Sequence, residues 1–110
     1  GGTDVRIAAG RAMSDMNHAI SLDTDNPYLY YCRGNMYASD KLYDKAIADY
    51  SEAIRLDSNL AEAYYNRGLA YVNMKKISAG IADLSKAGEL GLYDAYSLIK
   101  RYQQAEKKTR

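Results

Sequence analysis

Cysteine is all but missing. Cys32 stands alone in the 110 residues, so no disulfide can close within the chain and no thiolate metal site can form. Histidine is equally scarce, and His18 cannot build a metal site by itself. No metal and no cofactor are therefore expected. Proline occurs once, as Pro27, so little interrupts helices. Tryptophan and phenylalanine are absent, and all twelve aromatic residues are Tyr, whose apolar ring and polar tip suit half-buried surfaces. No apolar run approaches the ~18 residues that cross a bilayer, so a soluble chain without a membrane contact is expected. No charged segment followed by an apolar one opens the sequence. With the lone thiol, this leans towards the cytoplasm. The start, Gly1-Gly2-Thr3 without Met, reads as one from which upstream residues have been removed. A dominant charge is lacking too. Fifteen basic and fourteen acidic residues leave a net charge of +1, too small a field to gather nucleic acid or anionic lipid. The basic end (Lys100, Arg101, Lys107, Lys108, Arg110) reads as favourable charge at a helix C-terminus, with a phosphate-binding tail as the other reading.

What the chain does have is self-similarity. Tyr30-Tyr31-x-Arg33-Gly34-x-x-Tyr37 recurs 34 positions on as Tyr64-Tyr65-x-Arg67-Gly68-x-x-Tyr71. Ile47-Ala48-Asp49-x-Ser51-x-Ala53 recurs as Ile81-Ala82-Asp83-x-Ser85-x-Ala87. Shifted the other way, Ala12, Asp15, Ala19, Ile20, Leu22 and Asp23 anticipate Ala46, Asp49, Ala53, Ile54, Leu56 and Asp57. A fixed period of this length is the mark of a stacked-repeat architecture.

Each unit reads as two helices. Tyr30, Gly34 and Tyr37 fall at i, i+4, i+7, one helical face. Ala46, Ile47, Tyr50, Ala53 and Ile54 make a wider apolar stripe on the second. Ser39-Asp40-Lys41 interrupts the pattern as a short turn between antiparallel neighbours. Asp25-Asn26-Pro27 marks a helix start, with a capping side chain ahead of Pro in the first turn, and Asp57-Ser58-Asn59 is expected to serve likewise. No stretch alternates with period two, so no strands are predicted. Gly34 and Gly68 sit inside helices, where Gly costs roughly 0.5–1 kcal/mol against Ala. The repetition of that cost implies close helix approach, with Ala53 and Ala87 as the expected partners. Overpacking by Gly34→Leu is expected to cost about 1–3 kcal/mol or more.

These positions resemble the tetratricopeptide repeat, W-x2-L-G-x2-Y, then A-x3-F, then P. Tyr30, Gly34, Tyr37, Ala46, Tyr50 and Ala53 fill the pattern once. Tyr64, Gly68, Tyr71, Leu84 and Ala87 fill it again. Arg33 and Arg67 depart from it at the usual Leu, Gly80 at the small Ala, and Ser58 and Leu92 at the closing Pro. The stretch 86–91 also resembles the closing turn of Sel1-like repeats. The resemblance implies an all-α solenoid of stacked antiparallel helix pairs in a single domain over residues 1–110. Its parts would be the second helix of a partial repeat (4–22), two repeats (27–60 and 61–94) and a capping helix (94–107). Ala95, Leu98, Ile99 and Tyr102 make the apolar stripe of that cap. The partial repeat leaves Val5, Ile7, Met13 and Met16 as an open edge for self-association.

Arrays resembling this one bind extended peptides or partner helices in a concave groove lined by the first helix of each pair. With Tyr30, Gly34 and Tyr37 inward, the groove would carry Tyr28, Tyr31, Asn35, Ala38 and Ser39. One repeat on it would carry Glu62, Tyr65, Leu69, Val72 and Asn73, and then Tyr96 and Lys100. The competing reading is that Tyr28, Tyr31 and Tyr65 only complete packing between repeats. Some members clamp a C-terminal carboxylate with Lys, Asn and Arg. Asn35, Asn66 and Lys100 match those places, but Tyr31 and Tyr96 stand where Lys is needed, which argues against such ligands here. The expected function is thus a protein-interaction module for a peptide or partner helix. The alternative is a structural spacer or oligomerisation segment of a larger protein, working through the N-terminal edge as a homo-oligomer.

Catalysis finds little support. Asp15, Asp49 and Asp83 recur with the scaffold, and so read as a solvent face or as inter-repeat partners of Arg33 and Arg67. Ser14, Asp15 and His18 share a helix face without an oxyanion hole or a strained turn. Cys32 is expected to lie against a neighbouring helix as a small apolar residue.

Overall fold

A computed structural model describes residues 2–109, with side chains from residue 10 to residue 108. Six helices follow one another: α1 (Gly2–Leu22), α2 (Pro27–Ser39), α3 (Tyr43–Leu56), α4 (Ala61–Asn73), α5 (Ile77–Glu89) and α6 (Asp94–Thr109). No strand occurs among the described residues. α2 packs on α3 and α4 on α5 as the two closest pairs, while α3–α4 and α5–α6 contacts join one pair to the next. Within a pair the helices run antiparallel. Arg33 meets Asp49 while Tyr37, one turn on, meets Lys45 one turn back. α1 packs on α2 more lightly than any other chain neighbours pack.

Local chemistry sets the ends of these helices. Asn26 caps α2 by accepting the Tyr28 N–H at 3.0 Å, with Pro27 opening the first turn. Before α4 the expected side-chain cap is replaced by another device. The cap position is Leu60, which makes no side-chain cap bond, and Asp57 instead accepts the Asn59 N–H at 3.0 Å to shape the preceding turn. Leu60 is there because its side chain is needed below, packed on Ala53 and Ala63.

The turns inside each pair are alike. Lys41 and Lys75 hold left-handed φ of 61° and 66°. The Lys41 and Leu42 N–H groups return to Ala38 and Tyr37 carbonyls, closing the helix end, and Lys75 and Lys76 do the same to Val72 and Tyr71. A Cβ is strained at this φ. Lys41→Gly and Lys75→Gly should therefore each raise stability by roughly 0.5–1 kcal/mol, read as an additive shift of the urea midpoint. A shift in the opposite direction would overturn this account of the turns.

The core divides into two similar clusters, Ala53–Leu60–Ala63 with Tyr30, Tyr31 and Ile54, and Leu84–Ala87–Ala95 with Tyr64, Tyr65, Leu98, Ile99 and Tyr102. The expected capping stripe of α6 is thus the stripe that packs. Its register is two residues short of the repeat, because Leu92 takes the role of Leu60 and Ala95 that of Ala63. Gly91, at φ 112°, makes the tighter turn that allows this.

Four expectations are corrected. Gly34 does not make room for Ala53. A Cβ there would lie 2.6 Å from Cε1 of the buried Tyr50. Gly68 makes room for backbone rather than for Ala87, since its Cβ would fall 2.9 Å from the Gly80 carbonyl oxygen. Asp49 and Asp83 are buried, at 5% and 7% exposure, and form no solvent face. Cys32 is exposed rather than packed on a neighbouring helix. One repeat on, Asn66 occupies its position and reaches back to α2. Among the described residues no helix of the first type precedes α2, and Cys32 makes no comparable contact there.

Candidate functional site

The repeated Arg–Asp pairs frame the site. Arg33 donates from Nε and a terminal nitrogen to both Asp49 oxygens at 2.8 and 2.7 Å, and Arg67 binds Asp83 the same way at 2.8 and 2.8 Å. Both pairs lie within a repeat. The third guanidinium nitrogen reaches the preceding second-type helix, Arg33 to Asn17 Oδ1 at 3.0 Å and Arg67 to Ser51 Oγ at 3.1 Å. Tyr30 and Tyr37 flank Arg33, with ring centroids 5.8 and 6.0 Å from its guanidinium carbon, and Tyr64 and Tyr71 flank Arg67 at 5.7 and 5.9 Å. The hydrogen bonds to Asp49 and Asp83 raise both guanidinium pKa values against the opposing effect of burial. Arg in place of the usual Leu thus becomes a charged staple clamped between rings, and it fixes how each first helix sits on its partner.

On the other side of α2 and α4 lies a cleft of about 340 Å³, lined by Asn35, Ala38, Tyr50, Asn66, Leu69 and Asn73 among others. Its floor is a hydrogen-bond network. The Tyr50 hydroxyl donates to Asn35 Oδ1 at 2.6 Å. Asn66 Nδ2 donates to the same oxygen at 2.9 Å and to the Tyr31 hydroxyl at 3.1 Å. Burial, with help from the neighbouring Tyr31 and Asp49, pushes the Tyr50 phenol above its ordinary range, so it stays a neutral donor. The Tyr31 ring leans on that of Tyr50, with centroids 6.0 Å apart. The network consumes Asn35 Oδ1 and Asn66 Nδ2. Among the described residues it leaves Asn35 Nδ2 and Asn66 Oδ1, one donor group and one acceptor, without a hydrogen bond.

The residues named from sequence are distributed unevenly. Asn35, Leu69 and Asn73 line this cleft. Tyr31 and Tyr65 are half-buried and pack on the two core clusters. Tyr65 also borders a second opening of about 380 Å³ with Leu92, Tyr93 and Asp94. Tyr28, Glu62 and Lys100 are exposed. The Tyr96 ring covers Gly88 of α5, where a Cβ would lie 2.6 Å away, and 46% of the residue remains exposed. At the N-terminal edge, Val5 and Ile7 fall outside the described side chains. Met13 and Met16 are half-buried, and Met13 borders a cleft of about 540 Å³ with Met36, Tyr37 and Leu42. Tyr50 was missed as a cleft residue because its place in the helix stripe marks it as core. Its hydroxyl, absent from the Phe that the pattern usually carries there, was the available signal.

Among the described residues no hydrogen bond links Ser14, Asp15 and His18, and no three metal-ligating side chains gather. No helix among them is long and apolar enough to cross a membrane.

Similar folds occur among solved tetratricopeptide domains and a secretion chaperone. The first TPR domain of Spaghetti (RPAP3), bound to the HSP90 peptide SRMEEVD, superimposes with a TM-score of 0.84 over 93% of this chain and 82% of that one, at 23% identity. The second TPR domain of human RPAP3, in complex with the HSP70 peptide SGPTIEEVD, does so with a TM-score of 0.79 over 93% and 87%, at 24% identity. The Yersinia enterocolitica type III secretion translocator chaperone SycD has a TM-score of 0.85 over 96% and 79%, at 14% identity. No curated protein matches the chain in sequence. Family models for the TPR repeat and the tetratricopeptide repeat match residues 34–75 and 61–90. Two tandem units, a shared period, and a fold that superimposes on such domains from end to end agree: the chain belongs to the tetratricopeptide repeat family, whose fold is a scaffold for protein interaction.

Proposed function

We propose that the chain is a peptide-binding adaptor and that the cleft between α2 and α4 holds the main chain of an extended partner peptide. The observation that carries this reading is the pair of amides left by the network. Asn35 Nδ2 and Asn66 Oδ1 offer the donor and the acceptor that a peptide bond needs. Tyr50 and Tyr31 hold both amides in place in advance, which lowers the ordering cost of binding. Leu69 and Ala38 give apolar contact beside them. The peptides on the RPAP3 domains, SRMEEVD and SGPTIEEVD, are acidic at their C-terminal end. Here Tyr31 and Tyr96 stand where lysines would meet such a charge, so the adaptor reads an internal segment rather than a chain end. In this reading Tyr28, Glu62, Tyr65, Asn73, Tyr96 and Lys100 border the path, and the small residues of the 86–91 turn, the Sel1-like part, serve to seat Tyr96.

Tyr31 and Tyr65 are poor probes of binding, because their loss would open the core. Leu69→Arg with Asn73→Arg changes the cleft without touching either cluster. Peptide-display selection on the whole chain should enrich internal sequences that this variant, shown folded by circular dichroism, binds at least tenfold more weakly. Absence of enrichment, or equal capture by both proteins, would sink the reading.

A further inference from the structure

The chain holds a cation in the same way twice. Arg33 lies between the Tyr30 and Tyr37 rings and binds Asp49, and Arg67 lies between Tyr64 and Tyr71 and binds Asp83. Two rings and a carboxylate meet a third time at the opening of about 380 Å³ beside the start of α6, where Tyr65, Tyr93 and Asp94 line the space with Gly91 and Leu92. There the cation is not supplied by the chain. Among the described residues no guanidinium or ammonium group lies over the Tyr65 or Tyr93 ring, and Asp94 forms no ion pair. The two-residue slip of α6 also puts Asp94 where Glu62 stands in α4. Glu62 is exposed, lies one turn from Tyr65, and is likewise without an ion pair among the described residues. Acidic residues in a first turn favour the helix start, but that role calls for no rings, and it is the rings that set this opening apart. Ring faces and carboxylates both attract positive charge. An acidic group would meet repulsion from Asp94 and Glu62.

We propose that this opening receives a basic side chain of the partner, an arginine or lysine whose charged end lies against Tyr65 and Tyr93 and pairs with Asp94. The source of that side chain rests on the adaptor reading above. Tyr65 borders this opening and Leu69 lines the α2–α4 cleft. The two residues are one helical turn apart, about 6 Å along α4, a distance that an extended peptide covers in about two residues. A peptide held at Asn35 and Asn66 therefore reaches the opening with a side chain close by in its own sequence. The site is open to water, with Tyr93 73% exposed, so it selects among partners by charge rather than supplying most of the affinity.

Two measurements test the site, and the first needs no peptide. The probe is N-acetyl-arginine N-methylamide, with the citrulline compound as its uncharged counterpart. In NMR titrations of the whole chain with ¹³C-labelled Tyr rings, the arginine compound should shift the Tyr65 and Tyr93 signals with at least about fivefold tighter saturation than the citrulline compound. Asp94→Asn with Tyr93→Ala should remove that difference. Both residues are exposed, and circular dichroism verifies that the double variant is folded. Equal shifts from the two compounds, or a difference that survives both substitutions, overturn the proposal. The second measurement repeats the peptide-display selection on the wild-type chain and on the same double variant. Peptides enriched on wild type should carry Arg or Lys at one fixed position, and the variant should still enrich peptides while losing that preference. Enriched peptides without a basic position overturn the proposal as well. A selection that enriches nothing, beside a probe that still tells arginine from citrulline, sinks the adaptor reading and leaves the site for a basic group standing.

Discussion

Asp83→Ala should lower unfolding free energy by about 3 kcal/mol, near the lower end of what is lost when one member of a buried ion pair is removed. The side chain of Arg67 is 19% exposed and that of Asp83 9%, so the orphaned guanidinium would keep some access to water, and the upper end is not expected. Arg67 would still be fixed between Tyr64 and Tyr71, able to turn only towards Ser51. The loss should therefore appear as a desolvated charge without a partner, not as a cavity. Two comparisons separate these causes. Replacing both members, Arg67→Leu with Asp83→Leu, removes the charges and keeps the volume. It should recover most of the stability or exceed wild type, as apolar replacement of buried pairs often does. Raising salt should leave the wild-type pair nearly intact, since buried charges are weakly screened, whereas the exposed Glu52–Arg55 pair loses its attraction. The full cycle in urea gives the coupling. A double variant as unstable as Asp83→Ala would show that the arginine contributes by packing alone.

Much of the fold was legible because the repeat is written in residues that do local work. Pro27 and Asn26 set a helix start by their own chemistry, and the stripe of Ala46, Tyr50 and Ala53 sets a buried face by spacing. The capping stripe of α6 was legible for the same reason. What stayed hidden depends on distances between helices, which spacing does not state. That Gly34 faces the Tyr50 ring and Gly68 a carbonyl oxygen follows from how far two helices slide along each other. That Asp49 and Asp83 are buried depends on the arginines, one helix away, that neutralise them. The two-residue slip of α6 comes with a left-handed turn at Gly91. At the candidate site the amides Asn35 and Asn66 could be named, but not the network that orients them. Its central member, Tyr50, belongs to the other helix of the pair.

Gly68→Leu should be among the most damaging substitutions of the described residues, costing at least about 3 kcal/mol, the upper range of overpacking. A Cβ at Gly68 meets the Gly80 carbonyl oxygen at 2.9 Å, Leu84 Cγ at 3.1 Å and Asp83 Cβ at 3.2 Å. None of these is the free end of a flexible side chain. Leu84 is fully buried, and Asp83 is fixed by Arg67. The chain has already tuned this crossing. Where the first repeat has Ala38 and Ala46, the second has Val72 and Gly80, and a Cβ on Gly80 would lie 2.5 Å from Val72 Cγ2. Volume added on one helix has been removed from the other, so no slack remains for a third group. Relief would require α4 and α5 to part, which would lengthen both Arg67–Asp83 hydrogen bonds and couple this substitution to the staple. Gly10→Ala is the internal comparison. Nothing lies within 4 Å of a Cβ there, so the ordinary helical preference for Ala should stabilise by roughly 0.5–1 kcal/mol. Thermal melts of the two variants should move in opposite directions. If Gly68→Leu melts with wild type, α4 and α5 are not held at the separation on which both the staple and the cleft depend.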